Sequence, residues 1–291
     1  MKYRPLAALI AILLLSASLA ACGGGPGNEA SRPSPDSPSS SALEGPEASP
    51  PSPRKEVQEA TPSAEPEQTA EPSPAEKAYR MNDNYVIVPI DKEATDGKVV
   101  LLTFDDGPKA PETLDPILDT LDKHRAKAIF FVNGYRVEAK PDLLRKIDER
   151  GQTIGNHSWD HIDLKKEQVP EIKEQIESVQ SIVREITGKS PVFFRPPHGS
   201  SNEAVRKIAR ENGLLFMTWS NGSLDWSMGK IPEGERPRAV VDNVLEQLHS
   251  GSNILMHELP WTAAALDDLL SRLEEKGYSF VDPDAIDTEL Q

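Results

Sequence analysis

Acids and imidazoles recur along this chain at spacings that would let them act together. Residues 103–108 read TFDDGP and set two carboxylates, Asp105 and Asp106, side by side after an apolar run. Two such acids at a buried strand end repel each other unless a cation or a proton separates them. Asp-Gly-Pro is also favourable turn chemistry, which accounts for Asp106, Gly107 and Pro108 but less easily for both acids. Residues 156–161 read NHSWDH. Histidines at i and i+4 on a helical turn share a face and can grip one metal, although such a pair is also a common surface feature. Joined to Asp106, His157 and His161 supply two imidazoles and one carboxylate and leave positions open for water and substrate. Non-haem iron oxygenases use the same ligand set, with a closely spaced His-x-Asp that is absent here.

Further polar residues follow other apolar runs. Arg195 opens RPPHG, and an arginine at a buried strand end calls for a carboxylate, for which Asp105 is a candidate. Trp219 and Trp226 sit in a stretch ending GSLDW, as hydrophobic packing or as a substrate platform. His257 follows residues 254–256 (ILM) at the same expected rim as the metal-ligating group, which favours a catalytic role over a structural one. His124 and His249 lie near expected helix ends and receive no role.

The elements that must position these residues alternate. Continuous apolar runs at 99–104 and 128–132 read as strands buried on both faces. Shorter strands are expected at 153–155, 192–194, 214–219, 254–256 and 278–281. Helical stripes lie between them: Leu114, Ile117, Leu118 and Leu121; residues 141–150; Val169 to Ile186, with Gly188 past its end; a helix opened by a Ser200–Glu203 capping box; Val240 to Leu248; and Leu266 to Leu273. Repeated strand–helix units mean a parallel sheet covered by helices, either doubly wound or closed as a barrel. The polar residues nearly all follow strand C-terminal ends, where both architectures place their sites. No Gly-rich phosphate loop follows the first strand, which disfavours a nucleotide fold.

The order TFDDGP, HSWDH, RPPHG, GSLDW, ILMHE resembles the polysaccharide deacetylases, the family 4 carbohydrate esterases with a NodB homology domain. The resemblance covers residues 99–258. It implies a deformed (β/α) barrel of about seven parallel strands and one divalent metal, commonly zinc, with cobalt, nickel or manganese as alternatives. It implies removal of N-acetyl groups from amino-sugar polymers, here cell-wall peptidoglycan or chitooligosaccharide. An O-acetyl esterase of the xylan type and a weakly active wall-binding protein are the alternatives. By resemblance, Asp105 is the general base, and Asp106, His157 and His161 are the metal ligands. Arg195 orients the base, and the backbone N–H of His198, where the family usually has Tyr, is an oxyanion donor. Trp226 and Leu255 wall the acetyl pocket, and His257 is the general acid. Gly222 stands where the family usually has Asp, and that acid is expected to pair with the catalytic His. His257 should therefore lack the family's usual carboxylate neighbour and hold its proton less tightly, unless Asp225 or Glu258, whose directions the sequence does not show, takes its place. Glu258 stands where Asp usually follows the His.

Composition limits the rest. The 291 residues carry a formal net charge of −15, which disfavours a general nucleic-acid binder and a surface held to anionic lipid or wall polymers by charge. A single cysteine excludes a disulfide framework and a Cys-rich zinc cluster. That cysteine ends Leu19-Ala20-Ala21-Cys22, behind a basic start and ten apolar residues at 6–15. This run is short for a bilayer span and suits a signal peptide, and its end resembles a bacterial lipobox. Residues 1–21 are thus expected to be a lipoprotein signal, with Cys22 lipidated and the protein anchored to the membrane outside the cytoplasm. Residues 22–80 read as a disordered tether, because Pro, Ser, Glu, Ala and Gly dominate them and large apolar side chains are scarce. Residues 81–291 form the deacetylase-like domain, expected to act as a monomer on an acetylated glycan.

Overall fold

The computed structural model describes residues 76–289. The expected signal segment, the lipidation residue Cys22 and nearly all of the tether lie outside these residues. The first strands, β1 (Tyr79–Met81) and β2 (Ile87–Pro89), form an antiparallel hairpin. Ordered pairing therefore begins slightly ahead of residue 81, and the Lys77 ammonium already donates to the Asp284 and Ile286 carbonyls.

Strand β3 (Val99–Gly107) is the centre of the main sheet. β4 (Ala128–Val132), β5 (Thr153–Asn156), β6 (Phe193–Phe194) and β7 (Leu215–Phe216) follow on one side of it. β9 (Ser252–His257) and β8 (Asn221–Gly222) lie on the other. The order is β7-β6-β5-β4-β3-β9-β8, and every pair is parallel. This path holds seven parallel strands, curled, with its ends β7 and β8 unpaired to each other. The deformed barrel is therefore the correct choice between the two architectures. One expected strand is placed differently: β10 (Ser279–Phe280) lies off the path and pairs only with Val99 and Val100 at the start of β3. The two-residue β8, which has no apolar run to announce it, takes its place in the path.

Helices α1 (Pro111–Lys123), α2 (Gly134–Ala139), α3 (Pro141–Glu149), α4 (Val169–Thr187), α5 (Glu203–Glu211), α6 (Arg236–Glu246) and α7 (Pro260–Glu275) cover the sheet. Their ends follow local chemistry. Proline opens α1, α3 and α7, where its missing N–H costs nothing. Gly188, at φ 76, closes α4 in the left-handed region. The start of α5 differs from expectation: Asn202, not Ser200, is the cap, and its side chain accepts from the Val205 N–H at 3.0 Å.

Period-two alternation sorts β3 into two layers. Val100, Leu102 and Phe104 pack outward beneath the helices with Leu114, Ile117, Leu266 and Leu270. Val99 and Leu101 point inward with Ile129, Phe131, Phe193, Leu215 and Met217. This inner cluster fills the barrel, and the hairpin residue Ile87 joins it from below. Ile87 N–H donates to the Gly251 carbonyl at 2.9 Å. A Cβ on Gly251, which sits at φ 78, would overlap the Ile87 carbonyl, so only glycine lets the hairpin close against β9. Continuing the inward row upward from Val99 and Leu101 brings Thr103 and then Asp105. The site thus rests on an apolar plug. No described helix is long and apolar enough to cross a membrane.

Candidate active site

Asp105 and His257 are register partners at the C-terminal ends of the central strands β3 and β9. Asp105 is buried, and its Oδ1 accepts from Arg195 Nη1 at 2.7 Å. Arg195 is fully buried at 0% exposure. Nη1 also donates to the Thr103 hydroxyl at 2.8 Å, and Nη2 donates to the Thr218 carbonyl at 2.7 Å and to Asn253 Oδ1 at 3.2 Å. The guanidinium lies over the Phe131 ring, 4.4 Å from its centroid. A charge buried this deeply is tolerable only with such partners, and the planar fork leaves Asp105 one orientation. Thr103 and Asn253 are not singled out by the sequence. The available signal is strand period: Thr103 points the same way as Asp105 two positions on, and Asn253 the same way as His257 four positions on.

Strand alternation would turn Asp106 away from Asp105, but its backbone is left-handed, at φ 65, and both carboxylates lie beside one imidazole, with His157 Nε2 3.7 Å from Asp105 Oδ2. The Asp106 carboxylate meets two imidazoles: His161 Nε2 lies 3.1 Å and His157 Nε2 3.4 Å from Oδ1. The stretch from His157 to His161 is irregular, not the helical turn expected. Left-handed Ser158 (φ 66) and His161 (φ 57) produce the convergence instead. Non-glycine residues in this region cost on the order of 1–3 kcal/mol each and persist only where their surroundings over-determine them. Those surroundings come from α2, which the sequence did not announce. Asn133, at its N-cap, donates from its side chain to the His157 carbonyl at 2.8 Å. The Gly134 and Tyr135 N–H groups donate to the Ser158 and Trp159 carbonyls at 3.2 and 3.3 Å. From α4, Gln175 binds Asp160 at both its N–H and its carboxylate.

The three residues Asp106, His157 and His161 fit a metal ion. Their ligating atoms lie within 4.8 Å of one another. His157 Nδ1 sits 2.6 Å from the Arg195 carbonyl, which only accepts, so Nδ1 carries hydrogen and Nε2 is left with the lone pair. Asp106 Oδ1 is buried and has no hydrogen-bond partner. A buried carboxylate oxygen facing two imidazole nitrogens without a shared hydrogen is the donor set of a cation site.

His257 corrects an expectation. Its ring does have a carboxylate neighbour: Nδ1 donates to Asp225 Oδ1 at 2.7 Å, and the backbone N–H of His257 donates to Oδ2 at 2.7 Å. The Thr262 hydroxyl completes the shell of Asp225 at 2.7 Å. Gly222 therefore removes no partner from His257; a Cβ there would face Trp219, Leu224 and Trp226. Burial alone would lower the His257 pKa, but Asp225, with Asp105 and Asp106 behind it, raises it above the usual value. Of the two acids that the sequence offers in place of residue 222, Asp225 and Glu258, it is Asp225 that reaches the ring, which sequence spacing alone does not show.

The two residues expected as walls both lie near His257. Leu255, two residues before His257, is register-paired with both Thr103 and Gly222. Trp226 is 47% exposed, and its ring stands edge-on to His257 at 5.4 Å and to Trp219 at 6.4 Å. His198, at φ 60, sets its ring edge-on to His161 at 4.8 Å. Glu258 is buried beside the first turn, its Oε2 accepting from the Lys109 N–H at 2.9 Å; burial pushes its pKa up to about 7. His124 stands apart from the site, between Asp267 and Glu274 of α7.

Comparison with known proteins agrees with this geometry. A polysaccharide deacetylase family model matches residues 92–217. The peptidoglycan-N-acetylglucosamine deacetylase PgdA of Listeria monocytogenes is 37% identical over 217 residues, which cover 73% of this chain and 44% of PgdA. The chain thus spans less than half of that relative. The peptidoglycan-N-acetylmuramic acid deacetylase PdaA of Bacillus subtilis is 36% identical over 188 residues, covering 64% of this chain and 70% of PdaA. Among solved structures, a CE4 family pseudoenzyme from Bacillus anthracis superposes with a TM-score of 0.60 at 32% identity, covering 66% of this chain and 65% of its own. With the buried Asp105, the Asp106–His157–His161 group and the carboxylate-held imidazole of His257 on one rim of a curled parallel sheet, this chain belongs to the polysaccharide deacetylase family.

Proposed function

We propose that the protein is a divalent-metal-dependent hydrolase that removes N-acetyl groups from amino sugars of the cell wall, with peptidoglycan as its substrate and zinc as its metal. The observation that carries this reading is the pairing of opposite proton functions on neighbouring strands, Asp105 on β3 and His257 on β9, beside the Asp106–His157–His161 group.

Asp106, His157 and His161 would hold the ion. Bound there, it supplies Lewis acidity toward water and the acetamide carbonyl. Asp105, aimed by Arg195, accepts the proton of the attacking water. The water oxygen bonds to the acetyl carbon, and the His198 backbone N–H donates to the oxygen that gains charge. The C–N bond then breaks. An amide nitrogen cannot leave as an anion, so His257 Nε2 delivers a proton to it while Asp225 holds the resulting ring orientation. Trp226 and Leu255 bound the space for the acetyl methyl. The products are acetate and a free amine.

Relatives named as peptidoglycan deacetylases support the substrate class. We assign residues 1–21 to a lipoprotein signal, Cys22 to lipidation and residues 22–80 to a tether that reaches the wall from the membrane, with the domain acting as a monomer. The test is acetate release by the zinc-loaded protein from N-acetylglucosamine oligomers, peptidoglycan and acetyl-xylan. Release from the two amide substrates above the ester supports the reading. Release from acetyl-xylan alone replaces it with the O-acetyl esterase, and release from none leaves a wall-binding protein.

A further inference from the structure

Three acids are buried among the described residues, Asp105, Asp225 and Glu258, and only Glu258 has no part in the chemistry above. It sits one residue past His257, where the β3–β9 ladder has ended at the Asp105–His257 pair. Beyond that pair the backbone of the Asp106 turn is held from two sides. On the β4 side, the Asn133 N–H donates to the Gly107 carbonyl at 3.0 Å. On the β9 side, Glu258 Oε2 accepts from the Lys109 N–H at 2.9 Å.

The fit is close. A Cβ on Gly107 would overlap Glu258 Oε1, so the glycine and the long acid occupy one space together. Oε1 is buried and has no hydrogen-bond partner. Leaving such an atom unpaired costs on the order of 1–3 kcal/mol. That cost argues against space-filling, which an apolar side chain would do without it, and for a need for the Lys109 contact. Both restraints fall within three residues after Asp106, which is left-handed and aimed at His157 and His161.

We infer that Glu258 is a positioning residue: through Lys109 it fixes the turn that presents Asp106, and so ties the metal-ligand set to the strand that carries His257. The activity part of this inference rests on the deacetylase reading; the metal-affinity part does not.

The test compares Glu258→Met, which keeps volume and loses the acceptor, with Glu258→Gln, which keeps both. Zinc affinity of the metal-free full chain is measured by calorimetry, alongside kcat and KM on an N-acetylglucosamine oligomer. E258M is expected to weaken zinc binding about 10-fold or more and to lower kcat about 10–100-fold with little change in KM, as for other groups that orient metal ligands. E258Q is expected to restore zinc affinity and kcat to within about 3-fold of wild type, since Gln still accepts from Lys109. Zinc binding by E258M equal to wild type, or E258Q as impaired as E258M, overturns the inference. If E258M does not fold, Glu258→Asp, whose carboxyl falls a methylene short of Lys109, decides: weakened zinc binding supports the inference and wild-type affinity overturns it. A zinc shift in a chain that deacetylates nothing would sustain the positioning role and defeat only the deacetylase reading.

Discussion

In the proposed mechanism, His257 and Asp225 make the acid function a property of one contact. Because Asp225 raises the His257 pKa, the protonated ring persists to higher pH, and the basic limb of the kcat profile should lie correspondingly high. Asp225→Asn removes the raising charge, so that limb should move toward acid, and kcat at neutral pH should fall on the order of 10²-fold. Gly222→Asp should leave the limb in place, because position 222 faces Trp219 and Trp226. A pH–rate series on the three proteins checks both statements; an unmoved limb in D225N would remove Asp225 from its role. His257→Ala should cost on the order of 10²–10⁴ in rate on an amide, and less on an O-acetyl ester, whose alkoxide leaves unaided. Site legibility divides along the same line. Asp105, Asp106, His157, His161, Arg195 and His257 could be named because each follows an apolar run or shares a short motif. The Asp225–His257 pairing could not, because only the path of the loop after β8 decides which acid reaches the ring.

Among elements, α2 and the loop it holds matter more than their length suggests. Gly134 packs against Trp159, and a Cβ there would overlap the indole. Gly134→Ala should therefore push the segment between His157 and His161 out of place. Overpacking of this kind costs about 1–3 kcal/mol. Zinc affinity should fall together with thermal stability; a stable G134A protein with unchanged zinc affinity would show that the loop does not depend on α2. Long elements were legible because an apolar run or a helical stripe is a property of the sequence itself, as in β3, β4 and α4. The six-residue α2, the two-residue β8 and the β1–β2 hairpin have no such period. They form because the barrel's rim and base require a partner at those places, as Gly251 and Ile87 illustrate.

For the whole molecule, Glu258 couples stability to pH. Its folded pKa of about 7 lies above the ordinary 4.5, so the folded state binds the proton more tightly than the unfolded chain does. Its contribution is fully present below about 4.5, is lost as pH rises toward 7, and is constant above that. The loss amounts to about 3 kcal/mol, an order-of-magnitude figure. In metal-free protein, E258Q should gain stability relative to wild type over this window, and denaturant melts at pH 4.5 and 8 measure it. Equal differences at the two pH values would contradict the raised pKa. At the level of the cell, wild-type protein should fractionate with membranes and Cys22→Ser should not; wild type found wholly in the cytosol and uncleaved before Cys22 would refute export.

The central claim is that Asp106, His157 and His161 hold a metal on which deacetylation depends. Acetate release from peptidoglycan, measured for wild type and His161→Ala with and without added zinc, tests it most directly. The account predicts release by zinc-loaded wild type, loss on chelation with recovery on zinc addition, and a rate on the order of 10²-fold lower in H161A at any zinc level. Undiminished release by chelated H161A would contradict it.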